Sequence, residues 1–335
     1  MPRAVILGGT GAIGRATASR LLAAGWSVDY TGREPSRAVP ELDVAGARFV
    51  TFEVDDPGAM SARVGAGADL LVDCVCFTAV HAGRLVEVMP KVGNTVMISS
   101  KAVYVDADGN HSNSSERPRF DGPIPESQPT LAPGSMEYRS PLGYGSNKVA
   151  AENVLLDSGL PVSILRPSKI HGAGSANPRE WMFVRRALDK RRVVLLAKDG
   201  RGVDHPTAAA NVASLIETVA PLRQPRILNI ADPDAPTALE IARTMAAHLG
   251  HSWREVLLDD SAPAGLGRTH WDAVPPRVLD LSAALALGYT PAGTYAETVG
   301  AEIDWLVREH DTLDLSDFDD AFDYAAEDEY LASEP

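Results

Sequence analysis

A chain of 335 residues is long enough for one large domain or two modest ones with a sizeable core. Its 45 acidic residues outnumber its 31 lysines and arginines, and the formal net charge of −14 should repel nucleic acids and anionic membranes, which favours a small-molecule partner. No basic-then-apolar signal segment opens the sequence and no apolar run is long enough to span a bilayer, so we expect a soluble, cytoplasmic protein.

The stretch 4–14, AVILGGTGAIG, predicts a turn from a strand into a helix. Residues 4–7 are apolar and indicate a buried parallel strand, and Gly8, Gly11 and Gly14 then recur at every third position. A Cβ at the first glycine would obstruct the turn, one at the second would keep backbone N–H groups away from a phosphate, and one at the third would hold helix and strand apart. The pattern predicts a dinucleotide site at the helix N-terminus, with an ordinary strand-to-helix turn as the alternative.

The end of the second predicted strand, residues 27–31, bears on which nicotinamide cofactor binds. In a nucleotide-binding unit an acidic residue at this point accepts a hydrogen bond from the ribose 2′-hydroxyl of NAD. Here Gly32 takes that position and Arg33 follows, with Arg37 nearby. Loss of the acid removes repulsion of a 2′-phosphate and the guanidinium adds attraction, so we predict NADP, with NAD as the alternative. An ordinary surface arginine is the competing interpretation of Arg33.

Further parallel strands are predicted at residues 48–54, 69–77, 94–100 and 160–166. Ligands of such sheets collect beyond the carboxyl ends of the strands. From the glycine turn and these strand ends we predict cofactor contacts by Gly8, Thr10, Gly11, Ala12, Ile13, Gly14, Arg33, Glu53, Val54, Cys76, Phe77, Lys148 and Pro167.

Two local features follow the third and fourth predicted strands. Asp55-Asp56-Pro57 predicts a helix start with an acidic cap, although Glu53 or Asp55 could instead meet the adenine edge of a cofactor. Cys74 and Cys76 lie on the predicted fourth strand, where alternation would send both to the same face. Cys-x-Cys alone supplies too few ligands for a metal ion, so we predict reduced core residues and no metal site.

Ser100, Tyr144 and Lys148 form the predicted catalytic group. Tyr144 and Lys148 stand at i and i+4 near the start of a predicted helix and so share one face of it, and Ser100 ends the fifth strand. A tyrosine is a poor base near neutral pH, but a neighbouring ammonium and a positive nicotinamide ring stabilise its phenolate, and a serine hydroxyl can bind the substrate oxygen. Residues 106–140, just before this helix, lack a sustained period and predict a long functional loop. Tyr-x-x-x-Lys arises by chance in many helices, and the order of these residues after the glycine turn is what favours catalysis.

Several motifs together resemble the extended short-chain dehydrogenase/reductase family, which includes nucleotide-sugar epimerases and dehydratases. They are GGTGAIG at 8–14, MISSKAVY at 97–104, YGSNK at 144–148 and LRPSKIHG at 165–172. The resemblance covers residues 4–305 and is strongest in the first half of the chain.

The resemblance implies an α/β fold, namely a Rossmann-type doubly wound parallel sheet with a smaller C-terminal substrate lobe. It implies that Ser100 is the catalytic serine, that Tyr144 is the catalytic tyrosine, and that Lys148 also grips the nicotinamide ribose. Members of the family usually form dimers, so a homodimer is expected. The expected division is a dinucleotide-binding domain at 1–166 with a later return at 203–231, a substrate lobe mainly at 167–308 and an acidic tail at 309–335.

Departures from the family pattern narrow the function. Dehydratases of the family carry an Asp-Glu pair after the catalytic serine or threonine, and Lys101-Ala102 stands there instead, which disfavours a dehydratase. Arg201 could meet a substrate phosphate or be a surface arginine. His171 and residues 179–181 could line the substrate pocket, although a core position explains Trp181 equally well.

The tail from Glu309 holds eleven Asp or Glu among its 27 residues, yet Leu315, Phe318 and Phe322 interrupt it. A purely solvated tail would not need these apolar side chains, so we expect it to dock, with disorder as the alternative.

These inferences predict an NAD(P)-dependent oxidoreductase or epimerase that acts on a secondary alcohol or ketone, with nucleotide sugars among the candidate substrates. The alternative is a non-catalytic NAD(P)-binding sensor or an RNA-associated member of the broader family. The intact Ser, Tyr and Lys and the acidic charge oppose that alternative, while the missing substrate signature favours it.

Overall fold

Strands and helices alternate along the first half of the chain, as the sequence predicts. The computed structural model describes residues 1–56 and 58–333. The strands are β1 (Arg3–Leu7), β2 (Ser27–Gly32), β3 (Arg48–Thr51), β4 (Ala68–Asp73), β5 (Val92–Ile98), β6 (Val162–Pro167), β7 (Lys169–His171), β8 (Val193–Ala197), β9 (Pro206–Ala208), β10 (Arg226–Ile230) and β11 (Arg254–Leu258). The helices are α1 (Ala12–Ala23), α2 (Pro40–Val44), α3 (Ala59–Val64), α4 (Ala79–Val88), α5 (Pro141–Asp157), α6 (Trp181–Leu188), α7 (Ala209–Val219), α8 (Ala238–His248), α9 (Ser282–Ala286), α10 (Tyr295–Thr298), α11 (Gly300–Glu309) and α12 (Tyr324–Ser333).

A seven-stranded sheet with the order β10-β6-β5-β4-β1-β2-β3 forms the centre of the molecule. Every neighbouring pair of strands in it is parallel. The direction of winding reverses between β1 and β4, and ligands of doubly wound sheets bind in the crevice beyond the carboxyl ends of the strands at that point. The predicted α/β, Rossmann-type fold is confirmed.

β1 is buried on both faces of this sheet. Ala4 and Ile6 belong to the core that includes residues of α1 and α7, whereas Val5 and Leu7 belong to the core that includes residues of α4 and α5. Side chains alternate between the faces of a strand, and helices cover both faces of a parallel sheet, so this position requires a continuous apolar run. The two packed layers fix the carboxyl end of β1 and therefore the glycine turn.

β4 ends at Asp73 rather than at the predicted Phe77. Asp73 Oδ1 accepts a hydrogen bond from Val75 N at 2.7 Å, which turns the chain out of the strand. Cys76 packs in the core that includes α4 and α5, whereas Cys74 packs against the core that includes α1 and α7. The prediction that both cysteines share one face is wrong, because the alternation it assumed stops at Asp73. Both thiols are free, and burial raises the pKa of Cys74 to about 12.

Other elements also differ from the predicted bounds. β3 ends at Thr51 and β5 at Ile98, both earlier than predicted. α3 begins at Ala59. The predicted helix start with an acidic cap at Asp55-Asp56-Pro57 is wrong, because the N-cap is Gly58 and, among the described residues, no side chain caps the helix. Pro57 lies outside the described residues. The predicted cofactor residues beyond β3 and β4 therefore lie on loops at the edge of the sheet.

The second half of the chain builds a separate core from residues of α6, α8 and α11. Two small parallel sheets, β8 with β11 and β7 with β9, accompany it. β10 returns to the central sheet and pairs with β6. Trp181 is buried in the separate core, so the core interpretation of this residue is the correct one.

The acidic tail packs against this second half, as its apolar residues predict. Phe318 is buried in the same core as α6. Glu327 of α12 is buried in an ion pair with Arg186, and the Arg191 guanidinium lies 4.5 Å from the centroid of the Tyr324 ring. Within the described residues, no helix combines the length and the apolar character needed to cross a bilayer.

Candidate active site

The glycine turn joins β1 to α1 and leaves space where a ligand would need it. Gly8 has φ +76°, a conformation that L side chains rarely adopt. A Cβ on Gly14 would lie 2.5 Å from Gly9 Cα and 2.6 Å from Gly8 O, so helix and strand could not stay this close. A Cβ on Gly11 would meet no atom nearer than Gly8 O, at 3.7 Å. The space beside Gly11 is therefore free of protein and forms a cradle that a Cβ would narrow.

α1 begins directly after this cradle, with Gly11 as its N-cap. The N–H groups of the first helical turn cannot reach acceptors within the helix, and the helix N-terminus carries a partial positive charge. Both effects favour an anion. With the space beside Gly11, these residues fit the pyrophosphate of a dinucleotide, and Thr10, Ala12 and Ile13 flank the cradle.

Gly32 closes β2 beside the turn. A Cβ on Gly32 would lie 2.7 Å from Thr10 Cγ2 and 3.1 Å from Phe49 Cε2, so an acidic side chain at this position would require both of these side chains to move. Arg33 follows with an exposed side chain. The remaining predicted cofactor residues lie along the same edge of the sheet: Glu53 and Val54 after β3, Cys76 and Phe77 after β4, and Pro167 at the end of β6.

α5 places Lys148 under the ends of two strands. Lys148 Nζ donates hydrogen bonds to Cys76 O at 2.7 Å and to Ile98 O at 2.8 Å, and the side chain is buried. The same nitrogen lies 4.4 Å from the centroid of the Phe77 ring and 5.9 Å from that of the Tyr144 ring. Backbone carbonyls therefore fix this ammonium close to Tyr144.

The first turn of α5, which carries Tyr144, packs against the turn that begins after Ser100 at the end of β5. A Cβ on Gly145 would lie 2.6 Å from Ala102 O, so glycine is required for this approach. Ser100 Oγ accepts a hydrogen bond from Ala102 N at 3.1 Å, which leaves the hydroxyl proton as a donor for a ligand. Tyr144 lies in the first turn of α5 and is half-buried. Ser100, Tyr144 and Lys148 thus gather near the carboxyl end of β5.

A buried ion pair that sequence patterns did not predict anchors α5 to β6. Arg166 Nη2 pairs with Glu152 Oε2 at 2.5 Å, and Arg166 Nε donates to Glu152 Oε1 at 3.0 Å. Ser99 Oγ donates to the same carboxylate. Removal of one partner from such a pair leaves an uncompensated buried charge and costs about 3–5 kcal/mol. The pair therefore helps to hold the helix that carries Tyr144 and Lys148.

Residues considered for the substrate pocket have different surroundings. The Arg201 side chain is 77% exposed and pairs with Asp199 at 2.6 Å, so the surface interpretation of this arginine is the correct one. His171 is buried and pairs with Asp232 at 2.8 Å. Arg179, by contrast, is half-buried and close enough to interact electrostatically with Tyr144.

A buried acidic pair lies behind the site, beside His171. Glu180 and Glu302 are both buried, and with His171 they offer three potential ligand atoms within 4.8 Å of one another, a composition that also suits a metal ion. Gly172 N donates to Glu302 Oε2, and Tyr295 OH lies 3.3 Å from Glu180 Oε1. Among the described residues, His171 Nδ1 has no hydrogen-bond partner, and the carboxyls of Glu302 and Glu180 lie within hydrogen-bonding range of each other. Burial raises the pKa of Glu302 well above its ordinary value and the Glu180 charge raises it further, so the fold favours protonated Glu302.

Glu302→Gln should make the protein less sensitive to alkaline pH. A carboxyl whose pKa is raised by folding makes the protein less stable as pH rises from the unfolded pKa, about 4.3, towards the folded pKa. The reason is that the folded state binds more protons than the unfolded state in this range. The difference between the free energies of unfolding of Glu302→Gln and of the wild type should therefore shift in favour of the variant by about 1.4 kcal/mol per pH unit in this window. Urea unfolding between pH 5 and pH 9 measures the gain. The exposed Glu87→Gln variant is the control, and parallel pH profiles for wild type and Glu302→Gln would contradict the assignment.

The chain matches a known family over a range that begins at the glycine turn. The family described as NAD(P)H-binding matches residues 8–220, a range that includes Ser100, Tyr144 and Lys148. No curated protein sequence matches the chain.

Solved structures of similar fold cover nearly the whole chain. UDP-glucose 4-epimerase from Thermotoga maritima, solved with UDP-glucose, has a TM-score of 0.68 and 16% identity over 92% of this chain and 99% of that chain. dTDP-glucose 4,6-dehydratase from Bacillus anthracis, solved with NAD, has a TM-score of 0.67 and 16% identity over 93% and 98%. UDP-glucuronic acid 4-epimerase from Bacillus cereus, solved with UDP-glucuronic acid and NAD, has a TM-score of 0.66 and 16% identity over 91% and 99%. At this identity the likeness concerns the fold.

Proposed function

This chain belongs to the NAD(P)H-binding family and has the fold of the extended short-chain dehydrogenases/reductases, and we propose that it transfers hydride at a secondary alcohol or ketone, as an oxidoreductase or an epimerase. The observation that carries the proposal is the position of Lys148, held by two strand-end carbonyls with its ammonium 5.9 Å from the centroid of the Tyr144 ring. Such an arrangement suits acid/base chemistry by a phenol.

In this proposal Tyr144 exchanges a proton with the substrate oxygen. The nearby Lys148 ammonium is placed to balance the negative charge on the phenol oxygen when the proton leaves, and Ser100 donates a hydrogen bond to the same substrate oxygen and orients it. When bound, the nicotinamide supplies or accepts the hydride. The glycine turn would hold the pyrophosphate, and Lys148 would also contact the nicotinamide ribose.

Nucleotide sugars are the first substrates to test. The structurally similar epimerases and dehydratase carry UDP-glucose, UDP-glucuronic acid or dTDP-glucose in their names or crystals. Lys101-Ala102 after Ser100 lacks the acidic pair of the dehydratases, so redox chemistry or epimerisation is favoured over loss of water. We further propose a homodimer in the cytoplasm.

NADPH is the proposed cofactor, because Gly32 supplies no carboxylate to repel a 2′-phosphate and Arg33 is exposed beside it. Arg33→Ala should weaken NADPH binding by about tenfold, since a guanidinium–phosphate contact is worth about 1.4 kcal/mol or more, and should change NADH affinity little. Fluorescence titration with both cofactors measures the ratio. Arg254→Ala, an exposed arginine on β11, is the control. Equal losses for NADPH and NADH would show that Arg33 does not read the 2′-phosphate.

Titration of intrinsic tryptophan fluorescence separates this function from the alternative of a non-catalytic or RNA-associated protein. We expect NADPH to change the fluorescence and a single-stranded RNA oligomer to leave it unchanged, because the chain carries a net charge of −14. A response to RNA without a response to either nicotinamide cofactor would overturn the proposal. A panel of ketones and nucleotide sugars then distinguishes a reductase, which consumes NADPH, from an epimerase, which returns the hydride.

A further inference from the structure

A buried carboxylate next to the site is surrounded by positive charges. Asp204 is 1% exposed and forms an ion pair with Lys101. Its Oδ2 atom also lies 3.5 Å from Lys169 Nζ and 2.9 Å from Arg277 Nη2. Asp204 thus balances one of three cations, and the described residues leave an excess of positive charge at this point in an otherwise acidic chain.

The surrounding acidic groups reduce this excess only in part. Asp272 attracts Lys169, but its carboxylate is already 3.1 Å from Arg117 Nη1. Arg179 adds a further positive charge within electrostatic range of both lysines, and Glu180 and Glu302 are its acidic neighbours. We call Lys101, Lys169, Arg179, Arg277 and Asp204 the Asp204 cluster.

Burial and mutual repulsion both act against the charges of this cluster. Burial lowers the pKa values of Lys101 and Lys169 and the neighbouring cations lower them further, whereas the Asp204 carboxylate opposes this shift and favours the charged forms. Burial, with the Arg117 charge, lowers the pKa of Arg277 to about 10. Arg277 Nε is also buried without a hydrogen-bond partner among the described residues. An entering anion would relieve this repulsion and provide an acceptor.

The cluster lies next to the atoms that the proposed reaction uses. Lys101 directly follows Ser100, and Lys169 begins β7 shortly after Pro167 at the end of β6. Arg179 interacts electrostatically with Tyr144. The Lys169 side chain is 22% exposed, more than that of Lys101 or Arg277, so it is the most accessible of the three cations around Asp204.

We propose that the Asp204 cluster is a subsite for an anionic group, a carboxylate or a phosphate, carried by the substrate close to the carbon that exchanges hydride. This proposal deepens the proposed function. It rests on that function only in one respect, namely that the bound anion belongs to the substrate. Asp204 keeps the cations together in the free protein, and the anion brings the charge that Asp204 alone does not supply. Lys101 thereby gains a role at the position where dehydratases carry an acid.

Binding of inorganic phosphate and of malonate to the protein saturated with NADPH tests the subsite, because the cofactor occupies the other anion site. Isothermal titration should show that Lys169→Gln weakens binding of at least one of these probes by tenfold or more, while Lys169→Arg restores it. Arg201→Gln is the matched control, since it removes a positive charge from the same half of the chain at an exposed position. Phosphate and malonate as separate arms tell which oxyanion the cluster prefers.

The outcomes separate the subsite from the proposed function. If NADPH binds but neither probe binds, or if Lys169→Gln and Arg201→Gln have equal effects, the subsite is overturned and the function stands. If no nicotinamide cofactor binds, but Lys169→Gln still weakens binding of phosphate or malonate and Lys169→Arg still restores it, the function fails and the anion site stands.

Discussion

Tyr144→Phe should lower kcat by about 10²–10⁴-fold, the usual contribution of a positioned acid/base group, and leave NADPH affinity nearly unchanged. The substitution removes one hydroxyl from a half-buried ring in the first turn of α5. Lys148 keeps its hydrogen bonds to Cys76 O and Ile98 O, because they do not involve the phenol. The loss should therefore fall on the chemical step rather than on the fold or on cofactor binding.

The measurement uses the best substrate from the panel of ketones, secondary alcohols and nucleotide sugars. kcat and KM are compared for wild type, Tyr144→Phe and a control, Tyr324→Phe. Tyr324, the first residue of α12, donates a hydrogen bond from its hydroxyl to Asp189 at the end of α6, at 2.8 Å, and takes no part in the proposed chemistry, so its loss should leave turnover unchanged. Full turnover by Tyr144→Phe would remove the acid/base role from this residue.

Gly11→Ala and Gly14→Ala should fail in different ways. A Cβ on Gly11 has no protein atom nearer than 3.7 Å, so Gly11→Ala should change the free energy of unfolding by less than about 1 kcal/mol. The same methyl group narrows the cradle for the pyrophosphate, and we expect NADPH affinity to fall by about tenfold or more. Gly14→Ala places a Cβ 2.5 Å from Gly9 Cα, against backbone that cannot rotate away. It should destabilise the fold by about 3 kcal/mol.

Urea unfolding and NADPH titration of both variants test this contrast. Gly25→Ala is the control for a methyl group added in open space, because no atom of the described residues, apart from its chain neighbours, lies within 4 Å of its Cβ. Its φ of +82° adds backbone strain of its own. If Gly11→Ala bound NADPH as well as the wild type does, the space beside Gly11 would not be the phosphate site. If Gly14→Ala were as stable as the wild type, the close approach of α1 to β1 would not be required.

The sequence predicts the fold well where the signals are local. The bounds of β1 and β2 agree with the prediction to within one residue, because a glycine follows each predicted strand. The sequence predicts an end of β4 that lies beyond the observed one. Apolar residues continue through Phe77, but the hydrogen bond of the Asp73 side chain to Val75 N already turns the backbone out of the strand. That hydrogen bond also explains why the two cysteines face different cores.

The candidate site was predictable only in part for the same reason. Tyr144 and Lys148 share a helix face, and Ser100 follows a strand, so local spacing finds them. Lys101, Lys169 and Arg277 meet only at Asp204, and their wide separation in the sequence leaves no pattern to detect. The one available signal was Lys101 in place of an acid.

The central claim is that the glycine turn holds a nicotinamide cofactor whose reactive ring meets Tyr144. A crystal structure of the chain with NADP⁺ tests it most directly. We predict the pyrophosphate beside Gly11 and the nicotinamide between Ser100 and Tyr144, with the phenol hydroxyl directed at the reacting face and Lys148 at the ribose. A cofactor bound elsewhere, or a Tyr144 hydroxyl directed away from the nicotinamide, would contradict the claim.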